Sequence, residues 1–290
     1  MPHFLRWICC LTLVTISWLP RAALAQTPSP LQEWQYSGGV ILARLFEPDL
    51  PQWRLIAGAA ADVQPIYDGA RAMKVGGGPD FNVYYKDLWY LTTGNGLGYN
   101  FVRGRQYQIG LALAYDQGRT VRDDETNLRG MGDIYAAPVA KLYASVVLSK
   151  RFPLILRVAV RQYIGGAQGA AGDASVYLPL PGSSKTFVMF AGPSITMATA
   201  HYMQVEYGVD TRQSLASGHP AFYITRPGTT DAGVGFSATK FIGKHLLINL
   251  DAAISQVRGS PARSPLIERR TQRVLALSCE YHFESASDGP

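Results

Sequence analysis

The first half of 105–124, RQYQIGLALAYDQGRTVRDD, alternates large apolar residues with small or polar ones, and this constrains the fold of the chain more than any other feature. Successive side chains of a β-strand point to opposite faces, so the alternation predicts a strand with two different faces. One face carries Tyr107, Ile109, Leu111, Leu113 and Tyr115. The other face carries Gln, Gly and Ala and ends at Asp116, where the chain turns polar. We therefore expect an apolar face with an aromatic at each end and a small, polar face behind it.

The same alternation recurs along the chain, with turn signals between the segments. In 153–164, Arg157 and Arg161 lie opposite a row of Leu and Val, and in 271–283 Glu280 lies opposite Leu and aromatic residues. No helical period is sustained anywhere. Twelve strands are predicted, at 53–63, 72–86, 87–94, 96–103, 105–116, 139–150, 153–164, 171–180, 186–200, 229–241, 244–257 and 271–283.

Two features favour a membrane barrel over a water-soluble β-sandwich, which would show the same alternation. Aromatic residues stand at strand ends on the apolar face, where a bilayer interface would hold them; they are Tyr107, Tyr115, Tyr281 and Phe283. The connections also alternate, with short turns on one rim and long polar loops at 117–138, 201–228 and 258–270 on the other. The fold class predicted is therefore all-β, an antiparallel transmembrane β-barrel of about 12 strands, of the outer-membrane type.

Four segments are expected along the chain. Residues 1–25 read as a secretory signal peptide, with Arg6, an apolar run and ALA before a cleavage site preceding Gln26. An uncleaved membrane helix is the alternative, but the apolar run is short and Pro20 interrupts it. Residues 26–52 are predicted to form a periplasmic extension, 53–283 the barrel and 284–290 a tail. This places the protein in the outer membrane of a Gram-negative cell, in contact with outer-membrane lipid.

Cysteine content and charge limit the partners further. Cys9 and Cys10 lie within the predicted signal peptide, so Cys279 is left alone, facing lipid, and no internal disulfide is expected. The chain carries 27 Lys and Arg against 21 Asp and Glu, which is only mildly basic. Behind a secretory signal, such a charge does not indicate nucleic acid as a partner.

Four motifs resemble the MipA/OmpV family of MltA-interacting outer-membrane proteins. YDQGRTVRDDETNLRGMGDI at 115–134 resembles the family's D-x-GR and LRG-x-GD stretch, and YMQVEYGVDTRQSLASG at 202–218 resembles its YFGV and SG segment. SPLIERRTQRVLALSCEYHF at 264–283 resembles its closing loop and last strand, and PIYDG at 65–69 its first loop. Glu206 departs from the family, which usually has an aromatic residue there.

The resemblance implies a non-enzymatic barrel. The family's named member is described as a scaffold that links a lytic murein transglycosylase to a murein synthase, and both enzymes are therefore expected as partners. Three alternatives remain open: a porin-like channel for small solutes, an outer-membrane hydrolase, and an adhesin.

Charged residues on the minor face of several strands form the candidate site. Arg157, Arg161, Asp116, Asp251 and Glu280 are predicted to project into one lumen. They would form either an internal ion-pair network that stiffens the barrel or a pore lining that selects solutes by charge.

The sequence points to no catalytic residue, cofactor or metal. His201, His219, His245 and His282 are dispersed, and no G-x-S-x-G motif is present. The acids at 123–125 are interpreted as a solvated loop rather than a Ca²⁺ site. The glycines at 76–78 are expected to mark a bend or bulge in a strand.

Overall fold

The protein closes into one antiparallel barrel. The computed structural model describes residues 52–284, apart from Lys150, Lys185 and Lys244. The predicted signal peptide, nearly all of the predicted extension and residues 285–290 lie outside the described residues. Twelve strands follow one another around the ring in chain order, and β1 pairs with β12 to close it. The predicted fold class and strand number are confirmed.

The strands agree with the predicted segments to within a few residues at each end. They are β1 Trp53–Pro65, β2 Met73–Tyr85, β3 Trp89–Thr92, β4 Gly96–Arg103, β5 Tyr107–Asp116, β6 Ala137–Val147, β7 Ile155–Tyr163, β8 Gly169–Pro179, β9 Phe187–Ala198, β10 Gly228–Ile242, β11 Leu246–Val257 and β12 Thr271–Glu284.

The two faces of the wall differ as the alternation requires. On β5, Leu111 and Leu113 are 52% and 54% exposed on the outer surface, whereas Gln108 and Ala112 are buried inside. Cys279 is free and exposed on the outside. Large apolar side chains left exposed in a band around the barrel are stable in contact with acyl chains and not with water. No helix among the described residues is long and apolar enough to cross a membrane.

Aromatic pairs form a girdle at the rim where both chain ends of the barrel lie. Trp53 packs against Tyr85 and Trp89 against Tyr99, each with ring centroids 4.5 Å apart. Such rings are amphipathic and favour the interface between acyl chains and headgroups. The turns at this rim are short, and outer-membrane barrels keep short turns on the periplasmic side, so this rim is the periplasmic one.

One rim carries short turns and the other carries the long loops. The turns after β2, β4, β6, β8 and β10 lie on the periplasmic rim, and the 117–136, 199–227 and 258–270 loops lie on the opposite rim. Two short helices, α1 Ala200–Tyr207 and α2 Thr211–Ser217, stand in the second of these loops. The absence of a sustained helical period in the sequence agrees with this, because helices of about two turns are too short to show one.

The glycine run at 76–78 does not bend the sheet against β1. Gly76, Gly77 and Gly78 pair in unbroken register with Asp62, Ala61 and Ala60. The predicted bend or bulge was therefore wrong for this pairing. Because glycine has no side chain, this part of the wall carries little side-chain volume on either face.

The β3–β4 hairpin is much shorter than its neighbours. β3 pairs with β2 only from Asn82 to Tyr85, although β2 begins nine residues earlier at Met73. Twelve strands therefore close the periplasmic half of the wall, and the hairpin stops short of the other rim.

Replacing an outward-facing leucine near the middle of β5 tests whether this surface meets lipid. We expect Leu111→Lys to destabilise the barrel by about 2–4 kcal/mol in a bilayer, because a charge at the midplane is poorly solvated. Gln162→Lys, which faces outward near the end of β7, is the matched control and should cost about 0–1 kcal/mol. Urea unfolding of the two variants in liposomes measures the difference. Equal small costs would show that Leu111 does not face hydrocarbon.

Candidate functional site in the barrel lumen

The lumen holds the charged residues that the alternation singled out. Arg157, Arg161, Asp116, Asp251 and Glu280 are each at most 8% exposed and face inward. The four aromatic positions Tyr107, Tyr115, Tyr281 and Phe283 are 42–50% exposed on the outer surface. Tyr281 and Phe283 pack against each other with ring centroids 4.7 Å apart.

The five charged side chains share the lumen but lie in different parts of it. Arg157 and Arg161 project from β7, and Asp251 and Glu280 from β11 and β12, four and five strands away in a ring of twelve. Asp116 lies at the end of β5, where its Oδ1 accepts a hydrogen bond from the amide of Gly118 at 3.3 Å. Asp116 is therefore held by a contact within its own turn.

Arg161 pairs with an aspartate on the neighbouring strand that the sequence did not single out. Its Nη2 lies 2.7 Å from Oδ2 of Asp173 and donates to Oδ1 at 2.8 Å. The hydroxyl of Thr196 donates to the same Oδ1 at 3.0 Å. Both charged side chains are more than nine-tenths buried, so the pair is desolvated. Removing either partner would leave a buried charge without its counter-charge and would destabilise the barrel.

Asp251 and Glu280 are held by short-range polar contacts on their own strands. Nδ2 of Asn249 donates to Asp251 at 2.7 Å, and the Asn249 amide oxygen accepts from the hydroxyl of Thr239 at 2.6 Å. Glu280 accepts from the hydroxyl of Ser278 at 2.6 Å. Residues two apart on a strand share a face, which is why these pairs can form without any loop.

Tyrosines fill the lumen beside β2, β3 and β6. The rings of Tyr84, Tyr90 and Tyr143 follow one another with centroids 6.3 Å apart. The guanidinium of Arg54 lies 4.9 Å from the centre of the Tyr84 ring and pairs with Asp87 at 2.8 Å. This packing places aromatic bulk across the interior.

Lys141 and Asn100 complete this part of the interior. The Lys141 Nζ donates to Oδ1 of Asn95 at 2.7 Å and lies 5.6 Å from the centre of the Tyr143 ring. The Tyr143 hydroxyl donates to Asn100. Together with the tyrosines, these buried contacts mean that side chains occupy much of the lumen.

Parity along the strands could have found the residues that were missed. Asp173 shares the inner face of β8 with Ala171 and Ser175, and Lys141 shares the inner face of β6 with Val139 and Tyr143. Both strands read as apolar or small on both faces, so neither charge stood out against an obvious polar face. The partner of each charge lies on another strand or turn, and the sequence of one strand does not show which residues lie beside it.

Loops pack over the extracellular end of the lumen. Nη1 of Arg119 donates to the carbonyl of Glu206 at 2.8 Å, and the Tyr207 hydroxyl donates to Asp68 at 3.1 Å. The Ser264 hydroxyl donates to the carbonyl of Tyr207 at 2.6 Å. Three separate loops therefore meet at the end of α1, and they cover the mouth.

Two groups in this cap have raised pKa values. Burial raises the pKa of Glu206 to about 7; Asp116 and Asp68 add to the rise, while Arg119 opposes it. Burial also raises the pKa of the Tyr207 phenol well above its usual range, so that it stays a donor. Glu206, which departs from the family pattern, is thus a carboxyl that is uncharged in part at neutral pH.

The histidines and the loop acids have structural partners. The ring of His201 contacts Oε1 of Gln168 at 3.0 Å, and that of His219 the carbonyl of Asn127 at 2.8 Å. Asp123 accepts from the amide of Thr120 at 2.7 Å and so holds its own loop. No group of acids, histidines and cysteines in the described part of the chain could hold a metal ion.

The closed antiparallel wall, the polar packed interior and the apolar outer belt define an outer-membrane-type β-barrel. The family model for MltA-interacting protein MipA matches residues 57–283, which is most of the chain. The chain therefore belongs to the MipA family, as the sequence motifs indicated. No curated protein matches it in sequence.

Several solved structures are similar to the chain at a low level. The TodX monoaromatic hydrocarbon channel deltaS2 mutant is 9% identical with a TM-score of 0.37, over 84% of this chain and 92% of that one. The toluene transporter TbuX from Ralstonia pickettii is 8% identical with a TM-score of 0.36, over 83% and 93%. A bacterial polysaccharide outer-membrane secretin is 11% identical with a TM-score of 0.36, over 82% and 100%. Similarity at this level carries no argument about function.

Removing the carboxylate of the buried pair tests how much the lumen network stabilises the barrel. We expect Asp173→Asn to lower the free energy of unfolding by about 3–5 kcal/mol, because the guanidinium of Arg161 stays buried without its counter-charge. Combining Asp173→Leu with Arg161→Met should recover most of that loss, since no charge is then buried. Urea unfolding in liposomes is the measurement. A single-variant cost below about 1 kcal/mol would mean that the pair is effectively solvated.

Glu206 should make the cap sensitive to pH. Its pKa is higher in the folded protein than in the unfolded chain, so folding favours the protonated form. The stability of the cap should fall as pH rises from about 4.5 to about 7 and stay level above that. We expect Glu206→Gln to stabilise the cap by about 1–2 kcal/mol at pH 8, where partial exposure to water limits the effect. Near pH 4.5 the substitution should change the stability of the cap little.

Hydrogen exchange of residues 199–227 at both pH values, corrected for intrinsic exchange rates, measures this effect. Glu125→Gln, at an exposed carboxyl in the 117–136 loop, is the matched control. An equal response of the two variants at both pH values would contradict the assignment.

Proposed function

We propose that the protein is a non-enzymatic structural barrel of the outer membrane that holds a murein-remodelling enzyme at its periplasmic rim. The observation that carries this proposal is the occupied lumen, in which the charged side chains are buried and two arginines, Arg54 and Arg161, pair with carboxylates. An open pore for small solutes would instead keep its charges in water. Family membership supports the same role, because the family is described by its interaction with MltA. In this proposal a cleaved signal peptide exports the chain.

The periplasmic rim offers a suitable surface. Lys86, Arg103, Arg105 and Arg151 are exposed at three of its turns, and Lys240 is exposed close to the turn after β10. Asp87, in the first turn, is buried and paired with Arg54. Exposed charges of one sign attract a partner of the opposite sign and speed its association. The rim therefore suits an enzyme with an acidic patch, with the 26–52 segment as a second point of attachment.

Binding of a purified MltA-type lytic transglycosylase to the barrel in detergent tests the proposal. We expect Lys86→Glu, Arg105→Glu and Arg151→Glu together to weaken binding about tenfold, at about 0.5 kcal/mol for each exposed charge. The same three reversals at Arg122, Arg129 and Arg226, which are exposed on the extracellular side, form the matched control and should change nothing. A chain without residues 26–52 should still insert and should lose most of its partner.

Failure of the parent barrel to bind any murein-remodelling enzyme would contradict the scaffold role. Single-channel recording in planar bilayers tests the alternative of a solute channel. We expect no steady conductance steps from the parent. Steady steps that change in Arg157→Ala would favour the channel and overturn the scaffold proposal.

A further inference from the structure

The barrel wall is incomplete between β2 and β5 in its extracellular half. Thr93 is the last residue of the short hairpin to bond to β2, through both backbone groups of Phe81. Beyond it, Met73–Pro79 meets no strand on the side away from β1 among the described residues. On the other side, β4 reaches β5 only as far as Leu113. Because β5 ends at Asp116, three residues beyond Leu113, the opening is bounded by seven unpaired residues of β2 and by only the end of β5.

The gap lies at the depth of the outer leaflet. Tyr85, at the other end of β2, packs on Trp53 in the periplasmic girdle. The unpaired segment Met73–Pro79 is the opposite half of the same strand and extends for about 23 Å along it. Strands in barrels of this kind tilt by about 40°, so the free edge of β2 covers most of one leaflet in height. It therefore faces hydrocarbon and not headgroups alone.

The chemistry of the free edge fits this position. Because both backbone groups of Phe81 point toward the hairpin, the period of two directs those of Pro79, Gly77 and Val75 toward the gap. Proline has no N–H to leave unpaired, and prolines in sheets are confined to such edges. Val75 is 79% exposed, against 52% for Leu111 on a strand paired on both sides.

Room lies behind the gap, inside the wall. A Cβ added at Gly78 would meet no heavy atom within 4 Å. Its cross-strand neighbour on β1 is Ala60, which is also small. By contrast, the space in front of Gly110 is filled by the ring of Tyr143. Small side chains therefore leave a recess at the gap, whereas Tyr143 fills the lumen in front of Gly110.

The gap is framed on all sides by ordered contacts. Below it, the hairpin turn is held by Asn95, which accepts from Lys141 at 2.7 Å. Above it, Tyr67 and Ala70 of the first loop pack on Leu128 of the 117–136 loop. These contacts bridge from the end of β2 to the end of β5. The result is a window through the wall rather than a notch that is open at the rim.

We propose that this window is a lateral portal through which an alkyl chain from the outer leaflet enters the barrel and lies against Gly78 and Ala60. The window is continuous with the lipid-facing belt, so acyl chains are the neighbours that the fold itself supplies. A membrane lipid and a free fatty acid offer the same alkyl chain. The portal does not depend on the scaffold role, since it uses the opposite half of the barrel.

Fluorescence quenching by nitroxide-labelled chains tests the proposal. A bimane label is attached to Gly78→Cys, and separately to Ala60→Cys, in a chain that begins at Gln26 and carries Cys279→Ser. Ala253→Cys, which faces the lumen from the fully paired β11, is the matched inner control. Leu275→Cys, exposed on the outer surface, is the positive control. Folding of each variant is checked by its heat-modifiable migration on gels.

The quenchers are a doxyl-labelled phosphatidylcholine in liposomes and doxyl-stearic acid in detergent micelles. We expect quenching at Gly78 and Ala60 to approach that at Leu275, with little at Ala253. Quenching by both reagents would mean that the portal admits any alkyl chain. Quenching by the phospholipid alone would mean that it admits a membrane lipid, and quenching by stearic acid alone that it admits a free amphiphile. Protection of both positions to the level of Ala253 would overturn the portal. It would mean that residues 26–51 or a second copy of the chain cover the edge.

Discussion

Backbone hydrogen bonding in a medium without water is the constraint on which this structure depends. Hydrocarbon offers no partner for an amide or a carbonyl, so a sheet that crosses it must close on itself. The pairing of β1 with β12 achieves this, and it brings together segments that are separated by almost the whole described chain. The apolar belt, the aromatic girdle and the segregation of short turns from long loops all follow from closure at a fixed depth. At the short β3–β4 hairpin the sheet is not fully paired, and the unpaired part of β2 contains glycines and a proline.

Closure creates an interior, and the interior has its own requirement. Polar side chains that leave water must find partners, because an unpaired buried charge is costly. Arg161 with Asp173, Arg54 with Asp87, and Lys141 with Asn95 meet that requirement across neighbouring elements. The tyrosines of β2, β3 and β6 fill the space between them. These contacts fill the interior from within, and the loops cover it on one side.

The candidate site was predictable in part. Arg157, Arg161, Asp116, Asp251 and Glu280 were found because each interrupts a strand whose other face is apolar. Asp173 and Lys141 were missed because β8 and β6 carry small or apolar residues on both faces, so that a single charge gave no pattern. The helices α1 and α2 were missed for a different reason. They are two turns long, and their ends rest on capping residues such as Asp210, whose side chain bonds to Gln213.

Local alternation was enough to define the strands, their inward and outward faces, and the membrane as the solvent of one face. This worked because side-chain parity is a property of each segment alone, and a bilayer imposes the same rule on all of them. The sequence motifs also identified the family to which the barrel belongs. Which strand lies beside which residue could not be found in this way. The partner of Arg161, the meeting of three loops at Tyr207 and the window beside Gly78 all depend on register and relative strand length, which arise only when the sheet closes and distant segments compete for the same space.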